Sequence, residues 1–445
     1  MTDLLIVRAL PLAGDPEALF RFHGLALHKK CEGIHNTFSI RVTDKAGKNC
    51  LKVSQDLIQR PEVVYAEPNL MERYYPSAPS DRIDWGKLWH LDQISVRQAW
   101  ENTKGERDVV IAVVDDGCDL SHPAFGGPDK VVHPTDFVDG DAKPWADHPA
   151  VESGRHGTAF AGPAVAEESE NGVVGVAPRC AFMPVRMTAL ERIELETLSV
   201  RDIFEVAGQH ADILSCSWSS VPCYDPVPQP IAEVFDKIVV EGGTRGKRTV
   251  ICFAAGKHNA PIRDDDNHDF KYKPHPSDSE TRVAQSKILN GYAAHPNVMA
   301  VASVTSANQK ARYCNWGKEI SVCAPSDNFD PPSGQRLLGE ELFTTDNEDH
   351  GPGYVPGQRF TGFGGTSGAC PILAGVADLV RSVRPDLTAL QVKAIIEETA
   401  DPITTIHTDS DTDRTGERFI DGHSSWFGYG RVNAQKAVEK ALLLP

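Results

Sequence analysis

Val109-Val110-Ile111-Ala112-Val113-Val114-Asp115-Asp116-Gly117 is the stretch on which the reading of the fold turns. An unbroken, mostly β-branched run of this length reads as a strand buried on both faces of a parallel sheet. The Asp-Asp-Gly that follows reads as the turn leaving its C-terminal end. Sites in open α/β sheets form at those ends, which makes Asp115 a candidate functional carboxylate. On this string alone, an Asp-Gly turn without chemistry fits equally well.

Two later strings supply partners for such a carboxylate. Arg155-His156-Gly157-Thr158 opens a run of small residues suited to a helix packed closely beneath a site. A lone histidine is more often structural, as expected for the other fifteen, His90 and His122 among them. Gly365-Thr366-Ser367-Gly368-Ala369-Cys370-Pro371 precedes Leu373, Val376, Ala377 and Val380, whose spacing marks a buried helix face. Pro371 is expected in that helix's first turn, where its missing N–H costs nothing. Ser367 then sits at a helix N-terminus, where N–H groups and the dipole favour a developing oxyanion. A plain serine N-cap is the alternative.

A serine hydroxyl needs an adjacent base, and histidine titrates close to working pH. A carboxylate on the far ring nitrogen fixes the tautomer and stabilises the imidazolium. The order Asp115, His156, Ser367 is the order of the subtilisin triad, and nearly the whole chain resembles the subtilases, the subtilisin and kexin class of serine proteases. The resemblance implies an endopeptidase in which Ser367 is acylated, His156 is base and then acid, and Asp115 is the orienter. Residues 212–219, with Ser217, Trp218 and Ser219, resemble the strand that pairs with extended substrate. Ala254, Ala255 and Gly256 resemble the approach to the oxyanion-hole turn, and Asn290 and Gly291 a wall of the primary pocket. Asp116 resembles the kexin-like carboxylate that faces the second substrate residue before the cut, or else is a solvated turn residue.

Two departures stand out. Where the family carries an asparagine whose amide donates to the oxyanion, this chain has Lys257, followed by His258 and Asn259. Lys257 as an ammonium, or Asn259 through a one-residue shift, would have to donate; the alternative is a catalytically impaired subtilase acting as a binding or regulatory protein. A cysteine protease using Cys370 is a poor third, since no base sits in a comparable motif. The resemblance also implies structural calcium, although no cofactor is required for the chemistry. The loop with Asn171 is present, but His122-Pro123-Ala124 lacks the usual carboxylate. Asp136, Asp139 and Asp141 are the possible substitute ligands, and Asp409, Asp411 and Asp413 a weaker set; solvated acidic loops are the alternative.

The chain has 445 residues, enough for two domains, and a net charge of −17 with no Lys/Arg blocks. That argues against nucleic acid or an anionic membrane as partner and leaves polypeptide substrates. No apolar stretch is long enough to span a bilayer. The start, Met1-Thr2-Asp3-Leu4, does not read as a signal peptide. Ten cysteines without a Cys-x-x-Cys pair suit buried thiols in reduced cytoplasm, with leaderless export as an alternative. Residues 1–75 read as a small α+β, ferredoxin-like domain with strands at 4–10, 38–42 and 63–69 and helices at 15–22 and 50–60. Its ending resembles the subtilase propeptide, which implies an intramolecular inhibitor and folding aid and a self-processed zymogen; an ordinary accessory domain is the alternative. Residues 76–84 are the expected linker and 85–445 the catalytic domain, an α/β, doubly wound, mainly parallel sheet. Thr388-x-x-Gln391 reads as a capping box, and 324–360 as an irregular insertion.

Overall fold

A computed structural model describes residues 4–9, 20, 24–30, 36–68, 83–145, 155–169, 172–188, 195–241, 249–266, 269–273, 280–284, 287–331, 333–348, 353–404, 408–409, 414–415 and 419–444. Backbone contacts divide the chain into two compact units, Met1–Ser77 and Ala78–Pro445. In the first, strands β1 (Leu4–Ala9), β2 (Leu25–Lys30), β3 (Thr37–Val42) and β4 (Val63–Pro68) form an antiparallel sheet in the order β2-β3-β1-β4. Helix α1 (Cys50–Ile58) is capped by the Asn49 side chain and buries Cys50, Val53 and Leu57. This is the α+β arrangement expected. The sequence reading missed β2, whose Leu25-Ala26-Leu27-His28-Lys29-Lys30 is exposed after its first residue and lies at the sheet edge, where lysines are favoured. The helix expected at 15–22, Phe20 apart, and most of the linker lie outside the described residues.

The second unit is built on seven strands: β5 (Val110–Asp115), β6 (Thr135–Asp136), β7 (Ala181–Arg186), β8 (Ile213–Cys216), β9 (Val250–Ala254), β10 (Val298–Val304) and β11 (Ile320–Pro325). Every pairing is parallel, and the spatial order is β11-β10-β9-β8-β5-β7-β6. All residues of β5 are buried, as a strand covered on both faces requires. The chain leaves β5 toward β7 on one side and returns to β8 on the other, so the order reverses at β5. A crevice for ligand opens at the carboxyl end of such a switch point, where Asp115 stands.

Helix α2 (His156–Val165) follows β6 and packs on β5, and α3 (Thr197–His210) and α4 (Gln229–Val240) pack against one another. Helix α5 (Gly365–Val383) lies against α2 and the central strands. It begins earlier than expected, so Pro371 falls inside it rather than in its first turn. Residues 324–360 are also more ordered than expected. Within and just beyond them, strands β12 (Leu342–Thr345) and β13 (Arg359–Phe363) form an antiparallel pair. Its Thr344 and Thr345 hydroxyls donate to the carbonyls of Ala159 and Thr158, at 2.7 and 2.6 Å. The insertion therefore buttresses the histidine helix. The predicted capping box is present ahead of α6 (Ala389–Thr399), and α7 (Ala434–Leu443) closes the unit.

Candidate active site

The end of β5 delivers two carboxylates to one helix start, with different tasks. Asp115 Oδ1 lies 2.7 Å from His156 Nδ1 and accepts the Asp116 N–H at 2.8 Å. Asp116 Oδ1 accepts the N–H of Gly157 at 2.7 Å, and its Oδ2 that of His156 at 3.3 Å. A helix exposes unpaired N–H groups at its start, and an anion there is favoured by the dipole. Asp116 is only 7% exposed; it caps α2 while Asp115 holds the imidazole. The close approach depends on Gly157, since a Cβ there would collide with the Gly117 carbonyl. The Phe160 ring packs on the His156 ring, 3.6 Å between centroids.

Ser367 lies in the first turn of α5. Gly365 N–H is taken by Asp327 Oδ1 at 2.7 Å and Gly368 N–H by the Gly364 carbonyl at 3.1 Å. The hydroxyl of Ser367 donates to the Ser217 carbonyl at 2.9 Å, just beyond the end of β8. Thr366 Oγ1 accepts the Gly256 N–H at 3.1 Å, tying the turn after β9 to the same helix start. The strands β5, β8 and β9 thus bring Asp115, Ser217 and Ala254–Gly256 to one edge, with α2 and α5 adding His156 and Ser367. The Ser367 hydroxyl itself is engaged by the Ser217 carbonyl, and the His156 imidazole by Asp115.

The match of a family model described as "Subtilase family" over residues 106–430 decides the family. The chain belongs to the subtilases. It is similar to a calcium-dependent protease from Trichormus variabilis, 28% identical over 449 residues, which cover 94% of this chain and 60% of that one. A thermophilic serine proteinase from a Bacillus species is 28% identical over 395 residues, 88% of this chain and 76% of that protein. The chain therefore spans about three fifths of the length of the first of these relatives. Among solved structures, fervidolysin from Fervidobacterium pennivorans superposes with a TM-score of 0.57 at 20% identity, over 98% of this chain and 61% of the other. The fold is subtilisin-like.

The remaining predicted residues of this subtilase divide into framework and rim. Ala254 and Ala255 are buried, and Gly256 needs its positive φ of 109°. Trp218 is half-buried against Phe253 and Tyr292, with ring centroids 4.9 and 5.1 Å away. Ser219 is likewise partly exposed. Asn290 is buried and donates to the Ala255 carbonyl at 3.3 Å, while Gly291 sits flush against the Asp225–Val227 backbone. Lys257 is exposed. Asn259 is buried in the left-handed region (φ 50°), with its Oδ1 taken by Lys310 Nζ at 2.7 Å. Burial pushes the Cys370 thiol up to about 12, and its Sγ donates to the carbonyls of Cys216 and Cys252.

The acidic loop expected to hold calcium does something else. Arg186 Nη1 lies 2.8 Å from Asp136 Oδ2 and 2.7 Å from Asp139 Oδ2, and Asp136 Oδ1 accepts the N–H groups of Val138 and Asp139. Asp141 Oδ1 accepts the Lys143 N–H. Calcium needs six to eight oxygens; here a guanidinium stands between the two carboxylates, so these residues do not fit the ion. Asn171 lies outside the described residues, as do Asp411 and Asp413. Asp115, Asp116 and His156 do present ligand atoms within 4.8 Å of one another. Calcium prefers all-oxygen sites, and Asp116 is already engaged by helix N–H groups, so this trio fits a proton relay better than a calcium site.

Sequence reasoning gave no role to three residues of the site. Thr366 was visible beside Ser367. Asn315, whose Nδ2 donates to the Ala255 carbonyl and whose Oδ1 accepts the N–H groups of His258 and Ala260, carried no local signal. Neither did Asp327.

Proposed function

We propose that this subtilase is a serine endopeptidase. The observation that carries the reading is the 2.7 Å contact of Asp115 with His156 Nδ1, made at a helix start beside the one that bears Ser367. Ser367 Oγ attacks the substrate carbonyl, His156 takes the proton and passes it to the leaving amine, and water then releases the acyl group by the reverse relay. Asp115 holds the tautomer and stabilises the imidazolium. The oxyanion is met by the Ser367 N–H and by Lys257; the engagement of Asn259 with Lys310 favours Lys257 as the side-chain donor. Substrates are extended polypeptides laid along residues 217–219.

The small N-terminal unit acts as a propeptide-like inhibitor and folding aid, and the chain is a self-processed zymogen. Nine described cysteines are free thiols, eight of them buried, which suits a reducing compartment. No helix among the described residues is long and apolar enough to cross a membrane. The reading is tested by casein hydrolysis with the parent and with Ser367→Ala. Activity in the parent and its loss in a folded variant support it; cleavage by the variant at the parental rate overturns it.

A further inference from the structure

Two side chains at the exit of β11 grip the peptide that precedes the nucleophile. Asp327 is 4% exposed, and its Oδ1 accepts the Gly365 N–H at 2.7 Å. The neighbouring Ser326 Oγ donates to the Gly365 carbonyl at 2.7 Å. Residue 365 is thus held at both its donor and its acceptor, two residues before Ser367. The carboxylate lies flush on the chain, because a Cβ at Gly364 would collide with it, and Gly365 has a φ of +76° that disfavours any other residue. Behind it, Tyr313 Oη donates to Asp327 Oδ1 at 3.0 Å, and Arg336 Nη1 lies 3.2 Å from Oδ2. Arg336 also donates to the Gly362 carbonyl at 2.7 Å, holding the strand that runs into the same turn.

We infer that Asp327, with Ser326, is a positioning residue for Ser367, fixing the Gly365 peptide so that the hydroxyl and the N–H groups at the start of α5 share one orientation. The inference rests on the endopeptidase reading. Such a grip acts on attack geometry and not on the contacts that bind extended substrate, so its loss appears in kcat and not in KM.

The test measures kcat, KM and the rate of covalent labelling by a fluorophosphonate for the full chain and for Asp327→Ala, Asp327→Asn and Ser326→Ala, each checked for folding by circular dichroism. Asp327→Ala should lower kcat and the labelling rate by about 10- to 100-fold with KM within about twofold, the scale set by small misplacements of reacting groups. Asp327→Asn, whose amide oxygen still accepts from Gly365, should recover most of the loss. If Asp327→Ala does not fold, Ser326→Ala carries the test, with kcat down several-fold at unchanged KM. Parental labelling in folded Asp327→Ala, or in Ser326→Ala when the former is unfolded, overturns the inference. A parent that never labels refutes the endopeptidase reading instead.

Discussion

Ser217 and Ser367 exchange hydrogen bonds: Ser217 Oγ donates to the Ser367 carbonyl at 3.1 Å, and Ser367 Oγ donates to the Ser217 carbonyl at 2.9 Å. The first bond has a reason in the sequence. In a helix the Ser367 carbonyl would receive the N–H of residue 371, but that residue is proline and has none. Ser217 supplies the missing donor, and in doing so the end of β8 fixes the height of the nucleophile's turn.

Ser217→Ala removes that donor and leaves the carbonyl short of a partner. The variant should lose about 1 kcal/mol of stability, the usual size of such a bond, and kcat should fall more than KM rises. Thermal unfolding and steady-state kinetics on one preparation check this. Parental values of both would show that the exchange does not hold Ser367.

Arg186 and the carboxylates of Asp136 and Asp139 form a cluster in which Arg186 and Asp136 are buried. Removing one partner of a buried pair costs about 3–5 kcal/mol, so Arg186→Met should be strongly destabilised. It also frees two adjacent carboxylates, and calcium should raise the melting temperature of the variant more than that of the parent. Equal calcium responses in the two proteins would contradict the assignment of this loop to Arg186.

His90 is fully buried between Leu88 and Leu91, and burial lowers its pKa from near 6.5 to about 3. The ring is neutral in the fold, whereas the unfolded chain takes up a proton below its ordinary pKa. Stability from this group is therefore complete above pH 6.5 and falls between about 6.5 and 3, by about 1.4 kcal/mol per pH unit. Denaturant unfolding from pH 7 to 4 should show a slope that His90→Leu reduces by that amount. An unchanged slope would mean that His90 is protonated in the folded chain.

If the N-terminal unit is a propeptide, active protein should be cut between about residues 72 and 84, a segment long enough when extended to enter a groove. Intact mass reads this directly, and Ser367→Ala should remain whole. Full activity in an uncut chain would reject self-processing.

What the sequence made legible was local. Val109–Val114 announced a buried strand, Thr388 and Gln391 a helix start, and the strings around Asp115, His156 and Ser367 carried their own turns. The rest depends on contacts between distant positions. Arg186 meets Asp136 across 50 residues, Asn315 meets Ala255 across 60, and Asp327 meets Gly365 across 38. No periodicity encodes such pairs. For Asp116 the sequence leaves two readings open, a carboxylate facing substrate or a solvated turn residue, and neither contains the N–H groups of His156 and Gly157 that close on it. Pro371 reads as a first-turn residue because nothing local reveals that Ser217 replaces its lost bond.

The most direct test of the central claim is covalent labelling of the folded chain by a fluorophosphonate, with the modified residue located by peptide mass. The account predicts one modified residue, Ser367, with labelling that is lost in His156→Ala. Label on another residue, or labelling of Ser367 that proceeds equally without His156, would contradict it.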